Sequence, residues 1–189
     1  MDEQVLRAMA RWPDVPAVHG WLRLGRRGQW FLIDRNSPGF DERLHGEGSP
    51  IGNEQINEFI GRNYQAEADG RWYWQNGPQR VYVDLETAPL VVRVLGTAQR
   101  PGLVDHTGVE IDIAAIEAAG IGPAGELLLA TDRGAAVVHD LDLGSLVIEP
   151  GEDGDAGILV LGERRIELAE WADPPARLGF VAKPRPTET

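Results

Sequence analysis

The stretch from Asn63 to Leu85, NYQAEADGRWYWQNGPQRVYVDL, returns in outline further along the chain. Gly70-Arg71-Trp72-Tyr73-Trp74 leads through Asn76-Gly77-Pro78 to Val81-Tyr82-Val83. Gly125-Glu126-Leu127-Leu128-Leu129 leads through Asp132-Arg133-Gly134 to Ala136-Val137-Val138. Each stretch then meets an apolar pair, Val91-Val92 and Leu146-Val147. Such an echo constrains architecture more than any single motif, because both copies must form the same strand–turn–strand unit.

Turn chemistry and periodicity fill in the elements. Residues 2–12 carry Val5, Leu6 and Met9 at helical spacing and end at Pro13. Trp21–Leu24 and Gln29–Ile33 flank Gly25-Arg26-Arg27-Gly28 and read as a hairpin. Residues 36–50 are rich in Gly, Pro, Ser and charge and read as a loop. Asn53 is placed to cap a helix through Ile60. Asp69-Gly70 and Asn76-Gly77-Pro78 are turn signals separating strands at 64–66, 71–75 and 79–85, followed by a strand at 90–95. The polar segment 96–102, with Pro101, reads as a boundary. Beyond it the spacing predicts a helix over 111–119, strands at 126–131, 134–140 and 145–149, and a hairpin of 158–161 with 165–169. The expected fold is α+β, mostly β. An N-terminal helix (1–13) precedes two related β-rich repeats, 14–98 and 99–172, packed as one globule, and a Pro-rich tail follows at 173–189.

Composition removes several functions. Among 189 residues the net charge is -12. There is a single lysine, Lys183, and the arginines are dispersed. Binding to phosphate backbones needs concentrated Lys and Arg, so nucleic acid and anionic membranes are not expected partners. The chain has no cysteine, which excludes disulfides, thiolate catalysis and Cys-ligated metal centres. Met1-Asp2-Glu3-Gln4-Val5-Leu6-Arg7 has no secretory pattern, and no apolar run approaches the ~20 residues that span a bilayer. A cytoplasmic location is expected.

At residues 28–94 the chain resembles uncharacterised bacterial proteins with a domain of unknown function. The resemblance lies in Gly28-Gln29-Trp30, Gly48-Ser49-Pro50-Ile51, Asp69-Gly70-Arg71-Trp72-Tyr73, Pro78-Gln79-Arg80-Val81-Tyr82-Val83 and Ala88-Pro89-Leu90. It implies a fold of repeated β-rich motifs with short helices, and a role in ligand binding or signalling. It implies no catalytic residues.

Strand alternation sorts the central motif into two faces. Trp72, Trp74, Val81 and Val83 form an apolar face. Arg71, Tyr73, Gln75, Arg80 and Tyr82 form a polar–aromatic face suited to a small molecule or peptide. These five are the candidate ligand-binding residues; the ordinary alternative is a solvated sheet face with cross-strand pairs. His19, His45, Asp105-His106 and His139-Asp140 lack the spacing that aims two imidazoles at one ion, so no metal site and no cofactor is expected. Asp34, Asp84, Asp112, Asp140 and Asp142 offer carboxylates without selecting a pair, and Glu152-Asp153-Gly154-Asp155 lacks the full ligand spacing of a calcium loop. There is no nucleophile elbow and no phosphate loop, so the catalytic residues are unknown.

The sequence therefore favours a non-enzymatic ligand-binding or regulatory module. One alternative is a metal-assisted hydrolase using Asp and His near His106 and His139. Another is a structural protein self-associating through sheet edges.

Overall fold

The computed structural model describes residues 1–151 and 156–186. The chain is α+β and mostly β, as the patterning predicts, with two curled sheets and short helices. It divides into two compact units, one of Met1–Thr87 with Phe180–Thr189 and one of Ala88–Gly179.

The first unit begins with α1 (Glu3–Arg11), whose Val5 is buried. Glu3 in its first turn and Arg11 in its last complement the helix dipole. A six-stranded sheet follows, of β1 (Val18–Leu24), β2 (Trp30–Leu32), β3 (Ser49–Pro50), β4 (Tyr64–Ala66), β5 (Trp72–Asn76) and β6 (Gln79–Leu85). Its spatial order is β3-β2-β1-β6-β5-β4. Two antiparallel meanders are thus joined where β6 runs parallel beside β1. The predicted Asp69-Gly70 turn joins β4 to β5, with Gly70 at φ 82° and its N–H bonded to the Glu67 carbonyl. Asn53 caps α3 (Glu54–Arg62) as expected, its side chain accepting from the Ile56 N–H at 3.1 Å.

Residues 36–50 are more ordered than the loop reading allows. They hold α2 (Glu42–His45), capped by the Asp41 carboxylate, and β3. Both elements are too short to leave a periodic trace.

The second unit holds a nine-stranded sheet. Its strands are β7 (Leu90–Thr97), β8 (Arg100–Asp105), β9 (Glu110–Ile111), β10 (Ala118–Ile121), β11 (Leu127–Thr131), β12 (Gly134–Val138), β13 (Val147–Glu149), β14 (Ile158–Leu161) and β15 (Arg164–Glu170). Their order is β13-β14-β15-β10-β11-β12-β7-β8-β9. The pairing rule of the first unit recurs twice. β12, the last strand of one meander, lies parallel to β7, the first of the preceding one, and β15 lies parallel to β10 in the same way. The two echoing stretches of sequence supply β5–β6 and β11–β12, in each case the second and third strands of a meander. A short helix, α4 (Pro174–Leu178), closes the unit.

Two expectations fail here. The segment 96–102 is a tight hairpin, with β7 running on to Thr97 and pairing Arg100 across the turn. Gly96, at φ 80°, takes a conformation that a side chain disfavours, and Pro101 sits beyond the residues of β8 that pair with β9. The helix over 111–119 is absent. Only Ile113–Ala115 forms a helical turn, capped by Asp112 through the Ala114 N–H at 2.9 Å. Ala118–Ile121 is a strand between β11 and β15. Helix propensity is a few tenths of a kcal/mol per residue, so ladder bonds on both sides outweigh it.

Candidate functional site

The polar–aromatic residues lie in the first unit, on β5 and β6. Tyr73 stands opposite Tyr82 and Gln75 opposite Arg80 in the antiparallel register. The face is covered rather than displayed. Tyr73 is 6% exposed, Tyr82 4% and Gln75 2%. Trp72 on the other face is buried too, and Trp74 meets Phe59 of α3 edge-on at 6.0 Å.

The burial is made tolerable by Glu67, just after β4, a residue that sequence reasoning missed. Its carboxylate accepts from the Tyr82 hydroxyl at 2.7 Å, pairs with the Arg71 Nη2 at 2.7 Å and accepts from the Arg80 Nη1. Arg71 also reaches Asp69, its Nε donating at 2.8 Å. Each guanidinium lies over a ring, Arg71 over Tyr82 at 4.7 Å and Arg80 over Tyr73 at 4.3 Å. Charges and π faces are therefore matched within one cluster. Burial, then the hydrogen bond to Glu67, raises the Tyr82 phenol above its ordinary value, so it stays a donor.

His19 joins the cluster through an irregularity in β1. The register against β6 shifts between Val18 and Leu22, and Gly20 at φ 73° carries the kink. His19 then stacks on Tyr82 with centroids 4.5 Å apart and planes 16° apart. Burial, and after it the Arg71 and Arg185 charges, lower its pKa, so the ring is held neutral. Arg185, from the tail, pairs with buried Asp84 at 2.8 Å and 3.2 Å. No periodic signal announces that pairing, because its partners are far apart in sequence.

Three of the five candidate residues, Gln75, Arg80 and Tyr82, line a cleft of about 350 Å³. Its other walls come from Met9 and Trp12 at the end of α1, from Pro13, Val15 and Ala17, and from Pro78. Arg71 and Tyr73 support the floor without lining it. The Gln75 Nε2 donates to the Gly77 carbonyl at 2.9 Å, while its Oε1 is buried and has no hydrogen-bond partner among the described residues. A buried acceptor left without a donor costs about 1–3 kcal/mol.

The second unit arranges its histidines differently. His106 is buried and its Nδ1 accepts from the Val91 N–H at 3.2 Å; burial lowers its pKa to about 4. His139 accepts from the Leu141 N–H at 3.2 Å. Asp105 receives Thr107 and Val109 and pairs with Arg133 at 3.0 Å. Asp142 is held by Arg93 at 2.6 Å and by the Val94 N–H at 3.0 Å. These groups brace turns and strand ends. Among the described residues no three His, Asp or Glu side chains gather where they could hold a metal ion. The acidic loop Glu152-Asp153-Gly154-Asp155 lies outside the described residues. Among the described residues no helix is long and apolar enough to cross a membrane.

A family model described as "Protein of unknown function (DUF2946)" matches residues 1–185. No curated protein matches the chain. Among solved structures, a DUF1285 family protein from Silicibacter pomeroyi DSS-3 is similar at a TM-score of 0.52 and 20% identity, over 82% of this chain and 83% of that one. A DUF1285 family protein from Shewanella baltica OS155 is similar at a TM-score of 0.43 and 14% identity, over 66% of this chain and 88% of that one. The first likeness extends to the fold alone.

Proposed function

The chain belongs to this family of unknown function, and we propose that it is a non-enzymatic ligand-binding module with a regulatory role. The ligand is a small molecule or peptide, and the site is the cleft at Gln75, Arg80 and Tyr82. One observation carries the reading: the polar–aromatic cluster forms one side of a cleft, where Gln75, Arg80 and Tyr82 line it and the Arg80 side chain is part-exposed. Its volume of about 350 Å³ suits a small ligand or one residue of a peptide. The walls from Trp12, Pro13 and Val15 give apolar contact, and Gln75 and Arg80 give orientation.

A thermal-shift screen of metabolites, amides and short peptides tests the proposal on wild type and on Arg80→Met. A ligand at 100 times its dissociation constant stabilises the native state by about 2.7 kcal/mol. A hit that is lost in Arg80→Met supports the reading. Hits that persist unchanged in Arg80→Met and in a Trp12→Ala variant count against this cleft.

A further inference from the structure

We propose that a second cleft of the first unit binds a dianionic phosphate group, with the Glu42 carboxylate as the anion it displaces. The cleft is about 540 Å³ and is lined by His19, Trp21, Arg35, Glu42, Arg185 and Pro186, among others. It uses none of the polar residues of the cleft at Arg80 and does not rest on the reading above. The kink of β1 and the tail bring its two guanidinium groups together. A Cβ at Gly20, which sits at φ 73°, would lie 2.9 Å from the Arg35 Nε. Glycine leaves that space open, and the Nε donates to the Gly20 carbonyl at 2.6 Å. The tail is pinned where the Leu85 N–H donates to the Ala182 carbonyl at 2.7 Å, and Pro184 is buried. Arg185 is then held by Asp84 at 2.8 Å and 3.2 Å. The charged side chains that line the cleft are open to solvent: Arg35 is 26% exposed, Arg185 49% and Glu42 61%.

Charge selects the ligand. Glu42 accepts from both terminal nitrogens of Arg35, at 3.1 Å from Nη2. That hydrogen bonding lowers its pKa, and the charges of Arg35, Arg185 and Lys183 add to the effect. Asp84 is committed to Arg185, so Glu42 faces the remaining positive charge. Its bidentate seat on Arg35 is the geometry in which a guanidinium takes an external oxyanion. An exposed pair of this kind contributes little to stability and yields to a stronger anion. Each guanidinium also keeps N–H groups beyond those its carboxylate takes. A carboxylate brings one charge, whereas a phosphate monoester brings about 1.5–2 and a third acceptor oxygen. The net charge of -12 does not forbid binding, because at physiological salt exposed charges beyond about 8 Å are screened. Trp21 and Pro186 add apolar wall for an organic group on the phosphate.

Calorimetric titration of the full chain with phenyl phosphate at fixed ionic strength tests it, on wild type and on Glu42→Gln. That substitution keeps the shape of the side chain and removes the competing charge. The expected result is saturable binding to wild type and binding about threefold tighter to Glu42→Gln. No binding to wild type at millimolar concentration overturns the proposal, as does binding that is unchanged or weaker in Glu42→Gln. Benzyl alcohol binding as tightly as phenyl phosphate also overturns it, because the phosphate then contributes nothing. If Glu42→Gln does not fold, the Trp21 indole N–H of wild type decides: a saturable shift in its resonance supports the site, and none overturns it. Tighter binding of phenyl phosphate than of inorganic phosphate supports the proposal with an ester as the source; equal binding supports it with free phosphate as the source. Phenyl phosphate that is lost in Arg80→Met and unchanged in Glu42→Gln belongs to the other cleft, so this proposal falls and the binding reading stands. Phenyl phosphate that binds Arg80→Met as it binds wild type, while the screen yields nothing that Arg80→Met loses, leaves this site standing without that reading.

Discussion

The Tyr82 hydroxyl donates to the Glu67 Oε2 at 2.7 Å, and the same carboxylate holds Arg71 and Arg80. One acid therefore organises a phenol and two guanidinium groups, each lying over a tyrosine ring. Groups that share partners in this way couple energetically. Tyr82→Phe is expected to cost about 1 kcal/mol, the ordinary net worth of a hydrogen bond. Glu67→Gln is expected to cost about 1–3 kcal/mol, because Arg80 loses its charge partner and Arg71 keeps only Asp69. The double variant should fall short of the sum by at least ~0.5 kcal/mol. Urea unfolding of the four proteins measures this, and strict additivity would show that the cluster is not one unit.

Alkaline unfolding reads the same phenol. Burial and the Glu67 hydrogen bond raise its pKa above the ordinary 10.0. The unfolded chain then loses this proton first, so the contribution is fully present below pH 10.0 and is lost as pH rises through the folded value. Tyr82→Phe removes that loss. The variant should show a shallower fall in stability between about pH 9 and 11 than wild type.

The buried His106 predicts an acid effect in the second unit. Burial lowers its pKa from 6.5 to about 4, so the unfolded chain takes up a proton that the folded chain refuses. Stability is present above pH 6.5 and is lost as pH falls toward about 4. At pH 5 the loss from this group is about 2 kcal/mol. His106→Asn keeps an acceptor for the Val91 N–H and cannot titrate. Denaturant midpoints at pH 7 and pH 5 should therefore differ less in the variant, and an unchanged difference would locate the acid sensitivity elsewhere.

Gly120 sits where β10 passes Trp171. A Cβ there would lie 2.6 Å from the indole and 2.7 Å from the Ala169 carbonyl. Gly120→Ala should destabilise by about 1–3 kcal/mol through overpacking. Gly144→Ala, with nothing within 4 Å of its Cβ, is the control and should change stability by less than ~0.5 kcal/mol. Thermal melts of both variants check the contrast.

The legible parts of this fold are those coded locally. Asp69-Gly70 and Asn76-Gly77-Pro78 mark their turns through residues that accept positive φ, and alternation in 71–75 and 79–85 separates the two sheet faces. The misread parts were decided at a distance. Ala118-Ala119-Gly120 has a helical composition but is bound into a ladder by β11 and by β15, and the latter lies some fifty residues on. The same limit applies to the site. Alternation brought Arg71, Tyr73, Gln75, Arg80 and Tyr82 onto one face. It gave no sign that Glu67 joins three of them, that His19 stacks on Tyr82, or that Trp12 walls the cleft. The last two depend on a β-bulge and on where α1 comes to rest.

Two-dimensional ¹H–¹⁵N spectra of the labelled chain, titrated with the most stabilising compound of the screen, test most directly whether the cleft is a binding site. The account predicts saturable shifts of the Gln75 side-chain amide and the Trp12 indole N–H, with the Leu128 and Val137 amides of the second unit unmoved. Shifts confined to the second unit, with Gln75 and Trp12 unmoved at saturation, would contradict it.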